Sequence, residues 1–145
     1  MIVLASKSAS RRSMLGAAGV EFEVRPAAID ERALEDELSG AGPGEVALAL
    51  AEAKALSVDG AGKPVLGSDS VVSVDGVRFS KPASRTQAAE HLRFFSGRTM
   101  ELHSAAAIAH HGAIRWHTVS EAVLKVRELS DEFIDAYLAA EWPEV

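Results

Sequence analysis

Several features that would assign this chain to other classes of protein are missing from its sequence. The 145 residues include no cysteine, which excludes disulfide bonds and thiolate metal sites. No apolar run reaches the roughly 20 residues of a membrane-spanning helix, and charge follows the apolar residues 2–5 too soon for a signal peptide. Lys and Arg number 15 against 21 Asp and Glu. The resulting net charge of −6 argues against binding a nucleic-acid polymer, whose phosphates need a basic face. A soluble cytoplasmic protein is therefore expected.

The composition is typical of a globular protein, and the sequence has patterns of both strands and helices. Hydrophobic residues make up 48% of the chain, and its length suits a single domain, expected to cover residues 1–145. Short apolar strands alternate with helical patterns, while Asp75-Gly76 and His110-His111-Gly112 separate strand-like runs in the manner of hairpins. These patterns predict an α/β fold with a mixed, partly antiparallel sheet flanked by helices.

Serine residues mark the starts of two helices in the second half of the chain. Ser84 and Gln87 form a capping box, which predicts a helix to about Ser96. Ser130 opens a final helix that should run to about Glu141. Its apolar side chains recur at helical spacing, so this helix is expected to pack on the sheet. The side chains expected in that contact are Phe133, Ile134, Tyr137 and Leu138.

The start of the chain has the pattern of an anion-binding site. The apolar strand at residues 2–5 runs into small hydroxyl residues, and Ser8 or Ser10 can cap the helix that follows. The first turn of such a helix exposes backbone N–H groups and a partial positive charge. The neighbouring Arg11 and Arg12 favour phosphate over carboxylate as the bound anion. The alternative is an edge strand followed by a surface helix with solvated arginines.

A carboxylate in the middle of an apolar strand is the second candidate for chemistry. Asp69 lies between Ser68 and Ser70, where an ionised side chain is costly unless it is paired, hydrogen-bonded or bound to a metal. Asp30-Glu31 can bind a divalent cation together with Asp69, because hard cations prefer carboxylate oxygens. Two structural alternatives stay open: Asp69 as a turn residue at a strand end, and Asp30-Glu31 as the start of a solvated acidic helix.

Two lysines complete the candidate set. Lys54 lies near the C-terminal end of a helix that is otherwise nearly apolar, where it serves either the helix dipole or a bound anion. Lys81 follows a predicted hairpin strand, and Pro82 fixes the backbone just after it. Neither lysine alone defines a function.

Taken together, these motifs resemble the Maf family of nucleoside triphosphate pyrophosphatases. Each motif is short, but they occur in the family order over most of the chain. The matching stretches are residues 4–12, 29–31, 51–55, 67–72, 80–82 and 95–98. The predicted hairpin and last helix continue the resemblance to the end of the sequence.

The resemblance implies an activity, a metal and a set of site residues. Members of the family hydrolyse a nucleoside triphosphate to the monophosphate and pyrophosphate with a divalent metal, Mg or Mn. Asp69 resembles the catalytic carboxylate, acting as a general base or as a metal ligand, and Glu31 would share the metal. The substrate-binding residues implied at matching positions are Ser6, Arg11, Arg12, Glu31, Lys54 and Lys81.

The implied fold is similar to that of inosine triphosphatase, with the nucleotide in a cleft. The implied partner is a nucleoside triphosphate, with no nucleic-acid polymer and no membrane, and a homodimer stays open. The alternative function is that of a non-catalytic nucleotide-binding regulator of cell division and septum formation.

The sequence departs from the family pattern at three places. Ser8-Ala9 stands where members often have Ser-Pro, and Gly67-Ser68-Asp69-Ser70 stands where they often have Gly-Ala-Asp-Thr. The threonine form is typical of members that favour dTTP and UTP, and serine before the aspartate also occurs in those acting on 7-methyl-GTP. The chain is also expected to lack the C-terminal portion of the family, with Trp142-Pro143-Glu144-Val145 leading toward further strands.

Overall fold

The computed structural model describes residues 1–143, with strands and helices mixed along the chain. Glu144 and Val145, which belong to the tail discussed above, lie outside the described residues. The elements in chain order are β1 (Ile2–Leu4), α1 (Ala9–Ala17), β2 (Phe22–Val24), α2 (Glu31–Glu37), α3 (Pro43–Leu56), β3 (Val65–Val74), β4 (Val77–Phe79), α4 (Arg85–Phe95), β5 (Thr99–His110), β6 (Ala113–Lys125) and α5 (Asp131–Glu141). Within residues 1–143, no helix has the length and apolar character needed to cross a lipid bilayer.

The predicted capping serines lie at the observed helix starts. Ser8 accepts a hydrogen bond from the Arg11 amide, and Ser84 and Ser130 cap α4 and α5 in the same way. Each hydroxyl satisfies one N–H group that has no partner within its helix. Helix α3 begins at Pro43, because proline suits the first turn of a helix.

The chain forms two compact units. Unit 1 comprises Met1–Ser70 and His103–Ser120, and unit 2 comprises Val71–Leu102 and the described residues from Glu121 on. The expectation of one domain over residues 1–145 stays a prediction.

The part of the sheet that lies in unit 1 follows the strand order β2-β1-β3-β5-β6. Strand β1 is parallel to both of its neighbours, with Val3 opposite Glu23 of β2 and Val65 of β3. In unit 2, β4 pairs with the end of β3 in the antiparallel sense, and Val74 lies opposite Val77. The predicted mixed sheet flanked by helices is therefore confirmed.

The path of the chain around β1 determines where a ligand is expected. From β1 the chain passes to β2 on one side, and from β2 it returns to β3 on the other side of β1. In open α/β sheets a crevice forms outside the carboxyl ends of the strands at such a reversal. Ser6, which follows β1, lies at this end of the sheet.

Helix α3 lies directly against β3, and Gly67 makes this contact possible. A Cβ atom at Gly67 would overlap the carbonyl oxygen of Ala51 and lie 2.5 Å from the amide nitrogen of Ala55. Both alanines are buried. Because side chains alternate along a strand, Gly67 and Asp69 face the same side of β3. The close approach of the two backbones therefore puts the end of α3 beside Asp69.

Unit 2 is built around the contact between α4 and α5. Ile134 and Leu138 are fully buried and pack with Ala88 and Ala89 of α4. These two residues of α5 are one helical turn apart, so they form one narrow apolar stripe.

The sequence predicts that the last helix packs on the sheet through four side chains, whereas Ile134 and Leu138 pack with α4 and the other two are exposed. Phe133 is 40% exposed and Tyr137 is 37% exposed. Their rings lie 6.0 Å apart and nearly parallel on the outside of α5, and the Arg127 guanidinium covers Phe133 at 5.2 Å. The small alanines of α4 receive one stripe of α5 only, which leaves the adjacent aromatic stripe exposed.

Candidate active site

The loop after β1 holds an arginine over the carboxyl end of the sheet. Ser6 is buried, and its Oγ accepts hydrogen bonds from the Ser8 amide at 3.0 Å and from Arg11 Nη1 at 3.3 Å. The Ser8 hydroxyl in turn caps α1. These hydrogen bonds orient the Arg11 side chain back toward the loop. A guanidinium held in this way is suited to a phosphate group.

A lysine ammonium joins two carboxylates beside this loop. Lys54 Nζ lies 2.8 Å from Glu31 Oε1 and 2.9 Å from Asp69 Oδ1. The side chains of Lys54 and Asp69 are 9% and 13% exposed, whereas that of Glu31 is 53% exposed. The cluster therefore connects the buried Lys54 and the largely buried Asp69 to a charge at the surface, and it carries one net negative charge when all three groups are ionised.

Each member of the cluster has a local reason for its position. Glu31 is the first residue of α2, where a carboxylate is favoured by the helix dipole, and Asp30 caps this helix through the Ala33 amide at 3.0 Å. Lys54 lies in the last turn of α3, where a cation is favoured for the same reason. Asp69 meets Lys54 because Gly67 lets β3 approach α3.

The environment of Asp69 shifts the pKa of its carboxylate. Burial raises the pKa of Asp69 above its ordinary range, because the ionised form loses water. The hydrogen bond from Lys54 and its positive charge lower the pKa, but they do not cancel the effect of burial. The negative charge of Glu31 raises the pKa further, and the positive charge of Arg11 lowers it. Asp69 therefore holds a proton more readily than a solvated aspartate, which is typical of groups that carry out acid–base chemistry.

Arg11, Glu31 and Lys54 border a cavity of about 710 Å³ within unit 1, and Asp69 lies behind Lys54. Its wall includes the loop after β1 with Ser6 and Lys7, then Arg11, the segment from Ile29 to Glu31, and Lys54. The volume is in the range of small-molecule and cofactor sites. Cations and carboxylates lie on the same wall, so the cavity can receive an anion and a metal side by side.

The structure brings together five of the predicted site residues. Within unit 1 these are Ser6, Arg11, Glu31, Lys54 and Asp69. Their roles toward a substrate stay predictions.

The other two predicted residues have different locations. Arg12 is exposed on α1 and is not part of the cavity wall. Lys81 belongs to unit 2, where it is exposed in the segment after β4. Lys7 was not predicted to have a role, although it lies in the cavity wall. Its position between Ser6 and Ser8, in the loop predicted to bind an anion, is the signal that could have identified it.

A smaller cavity of about 360 Å³ also lies in unit 1. It is bordered by the turn from Asp59 to Lys63 and by the β5–β6 turn at His111. None of the predicted site residues contributes to its wall. Lys63, its one lysine, already pairs with Glu23 at 3.0 Å. Four of the predicted site residues line the larger cavity instead, namely Ser6, Arg11, Glu31 and Lys54.

Comparison with known proteins identifies the family. The model of the Maf-like protein family matches residues 1–144, and the chain belongs to this family. It is 50% identical over 143 residues to the 7-methyl-GTP pyrophosphatase of Rhizobium meliloti, and the matched region covers 96% of this chain and 72% of that protein. It is 44% identical over 146 residues to the Nucleoside triphosphate pyrophosphatase of Nitrobacter hamburgensis, with 99% of this chain and 72% of that protein covered. The predicted family is thereby confirmed.

This chain was also compared with the solved structure of the Nucleoside-triphosphatase / dITP/XTP pyrophosphatase from Mycobacterium abscessus. The two chains superimpose with a TM-score of 0.45 at 19% identity, over 86% of this chain and 70% of the other. The fold class itself follows from the strand order and the helices described above.

Proposed function

We propose that this protein is a nucleoside triphosphate pyrophosphatase, which hydrolyses its substrate to the nucleoside monophosphate and pyrophosphate. The observation that carries the proposal is the largely buried Asp69, joined through Lys54 to Glu31 in the wall of a cavity that also includes Arg11. The names of the two relatives support the same reaction. A non-catalytic nucleotide-binding regulator would need the cations of this cavity but not a buried carboxylate.

The residues present fit the divalent metal that the family implies. The oxygens of Glu31 and Asp69 converge on one point, since both lie within 2.9 Å of Lys54 Nζ. Carboxylate oxygens are the ligands that Mg²⁺ and related hard cations prefer. Glu31 and Asp69 would hold the metal, which when bound would stabilise negative charge on phosphate oxygens and lower the pKa of a water molecule.

The chain's own side chains have separate tasks in the proposed reaction. Arg11 binds and orients the phosphates, and its hydrogen bond to Ser6 limits its motion before the substrate arrives. Lys54 offers a further positive charge from the cavity wall. The carboxylate of Asp69 accepts the proton of the water that attacks the α-phosphate.

Release of pyrophosphate is the direct test of this proposal. The protein is incubated with Mg²⁺ or Mn²⁺ and a panel that includes 7-methyl-GTP, dTTP and UTP, and phosphate is measured with and without an added inorganic pyrophosphatase. Phosphate should appear only when that second enzyme is present, and a chelator should abolish turnover. Orthophosphate as the first product, or no turnover on any nucleotide, would contradict the proposed activity.

The pH dependence of the reaction should reflect Asp69. In the metal-free protein burial raises the pKa of Asp69, so protons compete with the metal for this carboxylate at a higher pH than for a solvated aspartate. At a metal concentration below saturation the rate should therefore fall, as the pH is lowered, at a pH above the ordinary aspartate pKa of about 3.9. A profile of rate against pH at limiting Mn²⁺ measures this limb, and circular dichroism at each pH separates it from unfolding. A rate that stays constant down to pH 4 would argue against a role for the ionised carboxylate of Asp69.

Removal of the Arg11 guanidinium should weaken the handling of phosphates. Arg11→Ala is expected to lower kcat/KM about tenfold or more, which corresponds to one lost hydrogen bond to a charged group. Arg115→Ala is a matched control, since Arg115 lies on β6 of the same unit and is not part of the cavity wall. Binding of a nucleoside without phosphates should be equal in both variants. Equal kcat/KM for the two variants would remove Arg11 from the site.

A further inference from the structure

We propose that Lys54 acts as a built-in competitor for the cation site, so that a metal binds to Glu31 and Asp69 only when Lys54 has moved to the phosphates of a nucleotide. Lys54 would then couple metal binding to substrate binding in addition to contributing a charge. The inference deepens the proposed function and rests on it for the identity of the anion that attracts Lys54.

The first support is the position of the ammonium group. Lys54 Nζ lies 2.8 Å from the oxygen of Glu31 and 2.9 Å from that of Asp69. A divalent cation bound by the same oxygens would need distances of about 2.0–2.6 Å. The ammonium group and the metal would then occupy the same small volume with charges of the same sign. The two cations cannot occupy the space between these two oxygens together, so one must leave before the other binds there.

The second support is the burial of Lys54. Its side chain is 9% exposed, and it extends from a helix whose neighbouring residues Leu50, Ala51 and Ala55 are buried. A buried ammonium group that loses both carboxylates without a replacement is strongly unfavourable. Lys54 therefore stays with the carboxylates until another anion is within its reach.

The third support is the location of that anion. Lys54 belongs to the wall of the same cavity as Lys7 and Arg11, the two cations at the loop after β1. A triphosphate held by these groups would present oxygens within the cavity that Lys54 borders. Exchange of the carboxylates for phosphate would release the cation site, and by linkage each ligand would then favour binding of the other.

The test uses Mn²⁺ alone, with no nucleotide, and follows the free ion by electron paramagnetic resonance. Lys54→Gln, which removes the charge and keeps a polar side chain, is expected to bind Mn²⁺ roughly tenfold more tightly than the wild type, because the competing charge is gone. Lys54→Arg keeps the charge and should bind Mn²⁺ as weakly as the wild type. Lys63→Gln is the matched control, since it removes a lysine from its pair with Glu23 at 3.0 Å elsewhere in unit 1. Its affinity should change less than about twofold, as expected for an exposed pair.

Two further variants keep the result decisive. Adding Asp69→Asn to Lys54→Gln should abolish the gain, which locates the ion at the proposed carboxylates. If Lys54→Gln does not fold, as judged by circular dichroism, Lys54→Met replaces it, and the same roughly tenfold gain is required of it. If neither variant folds without metal, Mn²⁺ should restore the fold of both, and failure to restore it would overturn the proposal. Equal Mn²⁺ affinity of wild type and Lys54→Gln would also overturn it.

The outcome is separable from that of the proposed function, because Mn²⁺ binding requires no turnover. Pyrophosphate release by the wild type together with unchanged Mn²⁺ affinity in Lys54→Gln would reject only the competition by Lys54. A gain in Mn²⁺ affinity without pyrophosphate release from any nucleotide would reject only the enzymatic activity.

Discussion

Replacing Asp69 with asparagine should lower kcat at least about a hundredfold, in line with the loss of one general base or one preorganised charge. The substitution keeps the shape of the side chain and removes its negative charge. Asparagine cannot accept the proton of an attacking water, and it is a poorer ligand for a hard cation. The rate of the chemical step should therefore fall more than nucleotide affinity or stability.

The fold of the Asp69→Asn variant should be preserved, because an amide at this position avoids the cost of a buried charge. The amide oxygen can still accept the hydrogen bond that Lys54 Nζ now donates to Asp69 Oδ1 at 2.9 Å. Nucleotide binding should largely survive, since the positive charges at the cavity wall remain. Single-turnover kinetics at saturating nucleotide measures the chemical step apart from binding.

The matched control for this substitution is Asp59→Asn. Asp59 lies in the turn before β3, where its carboxylate accepts the Ala61 amide at 2.8 Å, and asparagine can accept the same hydrogen bond. It borders the smaller cavity, so its replacement should leave kcat within about twofold of the wild type, as for a typical surface change. Wild-type turnover in Asp69→Asn would assign Asp69 a structural role.

The secondary structure could be predicted closely because its signals are local. Ser8, Ser84 and Ser130 cap helices at the positions where their hydroxyls can reach an amide two or three residues on. Asp75-Gly76 forms the turn between β3 and β4, with positive φ at both residues. Such signals depend on a few neighbouring residues, and tertiary packing rarely overrides all of them.

The internal arrangement of the site could not be predicted in the same way. The sequence marks Glu31, Lys54 and Asp69 as polar residues in apolar or helical surroundings, but their meeting depends on how α2, α3 and β3 pack. Lys54 was expected to face phosphate, whereas in this structure it lies between two carboxylates. A lysine at the end of an apolar helix looks the same in sequence whether its partner is an anion from solution or from the chain itself.

The extent of burial on an amphipathic helix is the other feature that required the structure. Apolar residues at positions 133, 134, 137 and 138 form a broad stripe, and only Ile134 and Leu138 are buried. The difference depends on the partner helix, because Ala88 and Ala89 leave room for one row of side chains. Spacing predicts which side of a helix is apolar, and the neighbouring surface determines how much of it is covered.

Adding one methyl group at Gly67 should be as damaging as removing a site residue, although glycine has no side chain to take part in chemistry. The new Cβ atom of Gly67→Ala would overlap the carbonyl oxygen of Ala51 and lie 2.5 Å from the amide nitrogen of Ala55. Both are backbone atoms of α3, so no side-chain rotation can relieve the contact. Strand and helix must separate, at a cost of about 1–3 kcal/mol or more, which is typical of overpacking.

The same separation should disturb the site, because it moves β3 away from α3. Lys54 and Asp69 are carried by these two elements, and their 2.9 Å contact depends on the spacing between them. We therefore expect Gly67→Ala to lower the urea midpoint of unfolding and, in the fraction that stays folded, to lower kcat/KM at least about tenfold, as for a small displacement of catalytic groups.

A second glycine provides the control for this effect. Gly16 lies within α1 and has no atom within 4 Å of the position that a Cβ would take. Gly16→Ala should therefore stabilise the protein by about 0.5–1 kcal/mol, since alanine favours the helix and no contact is strained. Opposite shifts of the urea midpoint in the two variants would show that the close approach of β3 and α3 holds the site together. If Gly67→Ala unfolds at the same urea concentration as the wild type and retains its turnover, β3 can move from α3 without cost, and the positions of Lys54 and Asp69 must be fixed by other contacts.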